Sequence, residues 1–125
     1  MTDSVLRSKS KGFAKEIVLF CRKMKQQGVE SALLNQLLRS GTSVGANIHE
    51  AQGTKDFISK FEIALKECNE SEYWIELLYD VDGVEKQEFE RLTFSPGRSL
   101  LCEKTGSLRR IRRRCGLETV RAEKP

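Results

Sequence analysis

Apolar residues recur every three to four positions along most of the chain, which is the spacing of helices that bury one face. The first series predicts a helix over about residues 10–27, with Gly28 as its natural stop because glycine accepts the left-handed conformation that ends many helices. The apolar positions of this helix are Phe13, Ile17, Phe20 or Cys21, and Met24. No segment shows the strict alternation of a half-buried strand.

Two longer series predict a second and a third helix, over about residues 31–52 and 55–81. Ser31 is a candidate N-cap for the second helix, and Asp82-Gly83 is typical of the turn that ends the third. The second series consists of Leu33/Leu34, Leu37/Leu38, Gly41, Val44/Gly45, Ile48 and Gln52. The third consists of Phe57, Phe61, Ala64/Leu65, Cys68, Trp74/Ile75 and Leu78/Tyr79.

The C-terminal part of the chain predicts a fourth helix less clearly. The segment KQEFERL, residues 86–92, favours one or two helical turns, and Ser95 followed by Pro96 is a typical helix start. The apolar face that would follow is interrupted near Lys104 and weakened by Gly106. Four amphipathic helices joined by short turns predict an all-α, antiparallel up-down four-helix bundle, whose last helix is the least supported.

Length and composition agree with one soluble domain. Of the 125 residues, 32% are charged and 38% hydrophobic, enough for a single core. We predict a helical body over residues 1–97, with a basic fourth helix and C-terminal tail of the same domain over 98–125. The N-terminus is too polar for a signal peptide, and no stretch approaches the roughly 20 apolar residues of a membrane helix. We therefore expect a cytoplasmic protein without a membrane partner.

The residue types needed for metal or nucleophilic chemistry are sparse. The four cysteines form no Cys-x-x-Cys pair, and the single histidine, His49, has no partner at ligand spacing. We therefore predict buried free thiols rather than a zinc site, and no cofactor. No nucleophile stands at a recognisable spacing from a base, so we predict that the protein is not an enzyme.

The stretch LLRSGTSVGANIHEAQ, residues 37–52, has three interpretations. Its glycines and hydroxyl groups suit a phosphate-binding loop, but the lysine and the preceding strand of such a loop are missing. The second interpretation is a flexible hinge. The third is a close contact between helices, because Gly41 and Gly45 share a face one turn apart. The apolar period continues through both glycines, which favours the third.

A polar stripe follows a second face of the same helix. It consists of Arg39, Ser43, Asn47 and Glu50, and the third helix presents Lys60, Glu67 and Ser71 at matching spacing. One interpretation is a polar cluster that joins the two helices. The alternative is a catalytic or ligand site built from Arg39, Asn47, Glu50 and Glu67, since carboxylates perform acid–base chemistry when a pocket shifts their pKa.

The net charge of +4 is unevenly spread. Residues 98–125 contain nine Lys/Arg against three acidic residues, and the run RRIRRR is the most basic part. Its candidate nucleic-acid-binding residues are Arg109, Arg110, Arg112, Arg113 and Arg114. Contacts of this kind are electrostatic, and without interleaved aromatic residues we predict little sequence preference. A solvated basic tail and attraction to a membrane surface are the alternatives.

The run QLLRSGTSVGANIHEAQ, with KDFISKFEIALKECNESEYWIELL after it, resembles the four-helix bundle proteins encoded by intervening sequences of bacterial 23S ribosomal RNA genes. The resemblance begins at FAKEIVLF and covers about residues 11–82. It implies a homo-oligomeric ring, commonly described as a pentamer, and no established enzymatic activity. The family is also similar to the accessory protein of diversity-generating retroelements, which associates with a reverse transcriptase and nucleic acid.

These relationships suggest a non-enzymatic protein that associates with RNA or DNA, or alternatively a scaffold that docks a protein partner such as a reverse transcriptase. The resemblance implies packing and polar-contact roles, not an active site, for a set of matching positions. They are Arg39, Ser40, Gly41, Ser43, Gly45, Asn47, Glu50, Asp56, Phe57, Lys60, Glu67, Tyr73 and Trp74. Two features depart from the family pattern: the short Gly53-Thr54 connection and the arginine-rich, weakly periodic segment over residues 93–125.

Overall fold

The computed structural model describes residues 2–81 and 83–93 of the chain, which form four helices and no strand. The helices are α1 (Thr2–Gln26), α2 (Ser31–Glu50), α3 (Gly53–Asp80) and α4 (Lys86–Thr93). This architecture confirms the predicted all-α bundle. Three long helices and one short helix make up the described part of it.

The three long helices run antiparallel to their neighbours, with α2 packed against both of the others. Gly41 of α2 lies beside Ile17 of α1, and one turn later Gly45 lies beside Ser10. On the other side of α2, Ser40 pairs with Ser71 of α3. The α2 helix is therefore the centre of the described bundle, and its residues decide how both neighbours are held.

Most residues of the predicted apolar faces form one continuous core, whereas Gln52, at the end of the second series, is exposed. Its largest fully buried side chains are Phe20, Phe61, Leu6, Ile17, Leu37, Ile48, Ile75, Leu78, Leu92, Val44 and Cys68. Burying a side chain such as leucine or phenylalanine stabilises the folded state by roughly 1.5–3 kcal/mol, so this set supplies the main driving force for folding.

Helix α1 begins at Thr2, well before the start predicted near residue 10. The additional turns hold Leu6, which is fully buried, and at Ser10, the first residue of the predicted helix, a serine occupies a core position. The guanidinium of Arg7 donates a hydrogen bond to the carbonyl of Ala51, 3.3 Å away, at the end of α2. The apolar spacing is not recognisable in this polar segment, because a serine occupies a position where the pattern requires a hydrophobic residue.

The turn between α1 and α2 is a Schellman motif, in which backbone N–H groups after the helix bond to carbonyls of its last turn. Gly28 has a φ of 85° and donates to the carbonyl of Lys25 at 3.1 Å. Val29 donates to the carbonyl of Met24, also at 3.1 Å. Gly28 thus ends α1 in the left-handed conformation that the sequence predicts for it.

The turn between α2 and α3 is shorter and is capped by a carboxylate. Helix α2 ends at Glu50, two residues before its predicted end, and Gly53 has a φ of 76°. The backbone N–H of Gln52 donates to Asp56 Oδ2 at 2.8 Å. Asp56 lies in the first turn of α3, where a negative charge is also favoured by the helix dipole.

The fourth helix of the described structure is the short segment that the sequence favoured only as one or two helical turns. Phe89 of α4 stacks on Tyr79 of α3, with ring centroids 4.4 Å apart. Two ion pairs, Lys23–Glu88 and Arg91–Glu16, each 3.6 Å long, join α4 to α1. The helix predicted to follow Ser95 lies outside the described residues.

Candidate functional site

The glycine stretch is helical and lies directly against α1. A Cβ atom added to Gly41 would lie 2.8 Å from Cγ2 of Ile17, and one added to Gly45 would lie 3.3 Å from the carbonyl oxygen of Ser10. Both distances are shorter than ordinary van der Waals contact. The stretch therefore forms neither a phosphate loop nor a break, and its glycines permit two helices to approach closely, which offsets the roughly 1 kcal/mol that each glycine costs inside a helix.

A shallow groove of about 250 Å³ runs beside this contact on the outer surface of α1 and α2. Its lining residues are Lys11, Ala14, Thr42, Gly45, Ala46 and His49. The hydroxyl of Thr42 donates to the carbonyl of Leu38 at 2.7 Å, and His49 Nδ1 lies 3.1 Å from the carbonyl oxygen of Gly45. These polar groups are thus directed back onto their own helix.

A fully buried pair of hydroxyl groups joins α2 to α3. Ser40 Oγ and Ser71 Oγ are 3.0 Å apart. Ser40 Oγ also lies 3.0 Å from the carbonyl oxygen of Gln36, and Ser71 Oγ lies 2.9 Å from that of Glu67. A hydroxyl carries one proton, so one serine donates to its own helix while the other bridges the two helices. The pair is satisfied without water, as a buried polar group requires.

An ion-pair cluster lies just outside the serine pair. Arg39 of α2 contacts Glu67 at 3.4 Å and also pairs with Glu70, while the indole N–H of Trp74 donates to Glu70 Oε2 at 3.1 Å. The hydrogen bond from Trp74 is the largest cause, and that from Arg39 the second, of a lowered pKa at Glu70. The hydrogen bond that Arg39 donates to Glu70 raises the pKa of Arg39. Glu70 is not among the residues predicted from the sequence, although its spacing of four residues before Trp74 places both on one helix face.

Aromatic side chains extend this cluster to the surface. Tyr73 is 56% exposed, and its ring packs edge-on against that of Trp74, with centroids 5.0 Å apart. The side chain of Arg39 is 52% exposed beside them. We call Arg39, Tyr73 and Trp74 the aromatic patch.

A second ion pair lies near the other end of α2, between Glu50 and Lys60, at 2.9 Å. The hydrogen bond that Lys60 donates to Glu50 raises the pKa of Lys60. Between the two ion-pair sites, the Asn47 amide donates to the carbonyl and hydroxyl oxygens of Ser43, at 2.9 and 3.0 Å. The predicted polar stripe is therefore divided: its ends contact α3, whereas these two residues bind each other.

The alternative catalytic set does not converge on one point. Arg39 and Glu50 are eleven residues apart on α2, which corresponds to about 16 Å along the helix. Glu67 pairs with Arg39 at one end of this distance, and the Asn47 amide is engaged within α2. A substrate would have to contact groups spread along most of the helix, so the arrangement joins helices and does not form a reaction centre.

The two described cysteines, Cys21 and Cys68, are buried, reduced thiols. Burial raises the pKa of Cys21 to about 11, and its thiol donates to the carbonyl of Leu34 at 3.6 Å, so it stays protonated near neutral pH. Among residues 2–81 and 83–93, no three His, Cys, Asp or Glu side chains lie together in a way that would hold a metal ion. No helix within these ranges has the length and apolar character to cross a membrane. The arginines at 109, 110, 112, 113 and 114, with Cys102 and Cys115, lie outside the described residues.

Comparison with known proteins identifies relatives of this bundle. The sequence has no match among curated proteins. Its structure is similar to a crystal structure of a protein of unknown function from the S23 ribosomal protein family of Bacteroides thetaiotaomicron VPI-5482. The TM-score is 0.77, the sequences are 40% identical, and the match covers 85% of this chain and 99% of the other. A family described as 23S rRNA-intervening sequence protein matches residues 2–95. The chain therefore belongs to the 23S rRNA-intervening sequence protein family.

Proposed function

We propose that this protein is a non-enzymatic, homo-oligomeric protein that associates with nucleic acid. The observation that carries the proposal is the charge of residues 98–125, where nine Lys/Arg stand against three acidic residues. Five of these arginines fall within residues 109–114. Cations at this density neutralise phosphates and release counterions, which gives affinity that decreases steeply with salt.

The polar groups of the described bundle support a structural role for the body of the protein. Arg39, Glu67 and Glu70 pair with one another, Glu50 pairs with Lys60, and the buried hydroxyls bond to each other or to their own helices. Side chains engaged in this way hold helices together. A partner would therefore bind to other exposed side chains and to the basic residues 98–125.

Several large apolar side chains on the surface support assembly of several copies. Leu19 of α1 is 62% exposed, and Ile63 and Tyr73 of α3 are 43% and 56% exposed. Contacts between copies would cover such side chains. By family resemblance the assembly is a pentamer, and repetition of the basic segment around a ring would multiply weak phosphate contacts.

A protein-docking scaffold is the second candidate function, and the aromatic patch favours it. Tryptophan, tyrosine and arginine are the residues most enriched at the energetic centres of protein interfaces. A partner protein, such as a reverse transcriptase, would bind this patch on α2 and α3 without help from the basic C-terminal residues.

The test combines light scattering with a fluorescence titration of a labelled structured RNA at about 50 and 200 mM salt. The key variant replaces Arg109, Arg110, Arg112, Arg113 and Arg114 with glutamine, which removes charge and keeps the chain length. We expect a multimer whose RNA affinity decreases strongly over this salt range, and a variant with a much shallower salt dependence. Truncation after Gly106 is expected to have a similar effect.

Each other outcome selects a different conclusion. A monomer contradicts the homo-oligomer, and a multimer that ignores RNA contradicts the nucleic-acid association. In the second case the scaffold is tested with Tyr73→Ala and Trp74→Ala, which should abolish capture of a defined reverse transcriptase. Truncation after Gly106 should leave that capture unchanged.

A further inference from the structure

The described helices differ strongly in charge. Helix α1 contains seven Lys/Arg and two acidic residues, whereas α3 contains three Lys and seven acidic residues. The bundle therefore has a basic side independent of the arginines at 109–114. This asymmetry places a second concentration of positive charge on a folded element whose geometry is known.

Four of the α1 cations share one exposed face. They are Lys11, Lys15, Arg22 and Lys25, which we call the basic face. At 100° per residue they fall within about 80° of arc, and they extend along about 21 Å of the helix. Lys11 also lines the groove beside Gly45, so the face continues into a concave surface.

The basic face is not neutralised by the rest of the described structure. Lys23, on another side of α1, pairs with Glu88, and Glu16 pairs with Arg91 on the side of α4. Among residues 2–81 and 83–93, none of the four cations of the basic face has an ion-pair partner. Four uncompensated positive charges thus lie along one helix and are available to an external anion.

We propose that the basic face binds the phosphate backbone of a nucleic acid; this rests on the proposed nucleic-acid association and adds a binding surface on α1. A duplex carries one negative charge per about 1.7 Å of its axis, so each cation along about 21 Å of helix would have a phosphate within reach. The residues between the cations include Ala14 and Val18 but no exposed aromatic ring, so the face contacts backbone and not bases.

An acidic protein surface, such as α3 of a second copy, is the competing occupant. Two of the α3 carboxylates, Glu67 and Glu70, are already paired with Arg39 of their own subunit. These internal pairs reduce the charge that α3 offers to another subunit. A nucleic acid keeps its full backbone charge and therefore matches the basic face better.

The experiment compares two full-length triple variants that remove the same charge. One carries Lys11→Gln, Lys15→Gln and Arg22→Gln on the basic face. The matched control carries Lys55→Gln, Lys66→Gln and Lys86→Gln, three exposed lysines on α3 and α4. Both are titrated with a labelled RNA hairpin between about 50 and 200 mM salt. Circular dichroism and light scattering establish that fold and oligomeric mass are unchanged.

We expect the basic-face variant to bind at least tenfold more weakly at about 50 mM salt. Its plot of log affinity against log salt should become shallower by about 2 to 3, since each lost phosphate contact contributes about 0.7 to 0.9. The control variant should stay close to the unmodified protein. Equal binding by the two triple variants overturns the proposal, and so does a basic-face variant that changes oligomeric mass but keeps its RNA affinity.

The five-glutamine variant of residues 109–114 separates this inference from the proposed function. If the unmodified protein does not bind the hairpin, both ideas fail together. If only the five-glutamine variant loses binding, nucleic-acid association stands and the basic face is refuted. If each variant loses part of the salt dependence, both surfaces contact phosphate, which is the expected result.

Discussion

The two sides of α2 hold their neighbours in different ways. Toward α1, Gly41 and Gly45 lie so close to Ile17 and to the backbone of Ser10 that an added methyl group would force its neighbour to shift. Toward α3, a buried serine pair is flanked by the exposed ion pairs of Arg39 and Glu50. Helix α2 thus packs closely against α1 through its glycines. It contacts α3 through polar groups, including the long, flexible side chains of the ion pairs.

The comparison shows where this fold tolerates change. A side chain such as Arg39 or Glu70 can move and remain solvated, so its replacement alters the free energy of unfolding little. The contact at Gly45 involves the backbone of another helix, which cannot move without shifting the core on both sides. We therefore expect substitutions on the α1 side of α2 to be the more destabilising.

Among single glycine substitutions, the largest effect is expected from Gly45→Leu. The leucine side chain would meet the Ser10 carbonyl of α1, so either the two helices must separate or the leucine must adopt an unfavourable rotamer. We expect a loss of about 3 kcal/mol or more in the free energy of unfolding, because overpacking a core costs about 1–3 kcal/mol even where side chains can adjust. Chemical denaturation at constant protein concentration measures it.

Gly12→Leu on α1 is the matched control for this prediction. A Cβ at Gly12 meets nothing within 4 Å, so this leucine gains helix propensity, about 0.8–1 kcal/mol, without a clash. Equal stability changes in the two variants would show that the α1–α2 contact is not the constraint that its geometry indicates.

The second prediction is a coupling between Gly41 and Ile17. Gly41→Ala places a methyl group 2.8 Å from Ile17 Cγ2 and should destabilise by about 1–2 kcal/mol despite its better helix propensity. Ile17→Ala removes the clashing atoms but leaves a cavity that costs about 2–5 kcal/mol. In the double variant the alanine methyl partly fills that cavity. Its measured destabilisation should therefore be smaller than the sum of the single changes by about 1 kcal/mol, and strict additivity would contradict the contact.

The sequence predicted the three long helices because their apolar residues keep one period over many turns. The same period indicates the glycine contact, because the series from Leu33 to Ile48 continues through Gly41 and Gly45, and a loop there would interrupt it. Gly28 was predictable as a stop because a left-handed residue at the end of a helix is almost always glycine. These features depend on local pattern, which a single sequence displays.

Contacts between elements were not predictable in the same way. The polar stripe of α2 was expected to face Lys60, Glu67 and Ser71, without specific partners. In the structure Arg39 pairs with Glu67 and also with Glu70, and this choice of partners depends on the rotation of α3 about its axis. The start of α1 before residue 10 was not predicted, because Ser10 interrupts the apolar series although it is fully buried beside Gly45. The core position of Ser10 becomes evident only from its neighbour on another helix, Gly45.

The smallest expected effect lies on the polar side of α2, and pH makes it measurable. Arg39→Gln should destabilise the protein only slightly near neutral pH, and less at high salt, because the pair is exposed and screened. The Trp74 and Arg39 hydrogen bonds hold the pKa of Glu70 below its ordinary value of 4.5. Since the folded-state pKa is the lower one, this stabilisation is complete above about pH 4.5 and is lost as pH decreases through the folded-state pKa.

The difference in unfolding free energy between Arg39→Gln and the unmodified protein should therefore shrink as the pH decreases from about 6 to 3. Lys66→Gln, an exposed lysine on α3 outside the cluster, controls for the loss of one positive charge and should show no such convergence. A difference that persists unchanged into acid would mean that Arg39 stabilises the bundle by packing its aliphatic stem on Trp74 and not through a carboxylate. Both sides of α2 would then be held by packing, and they would differ only in how closely the neighbouring helix approaches.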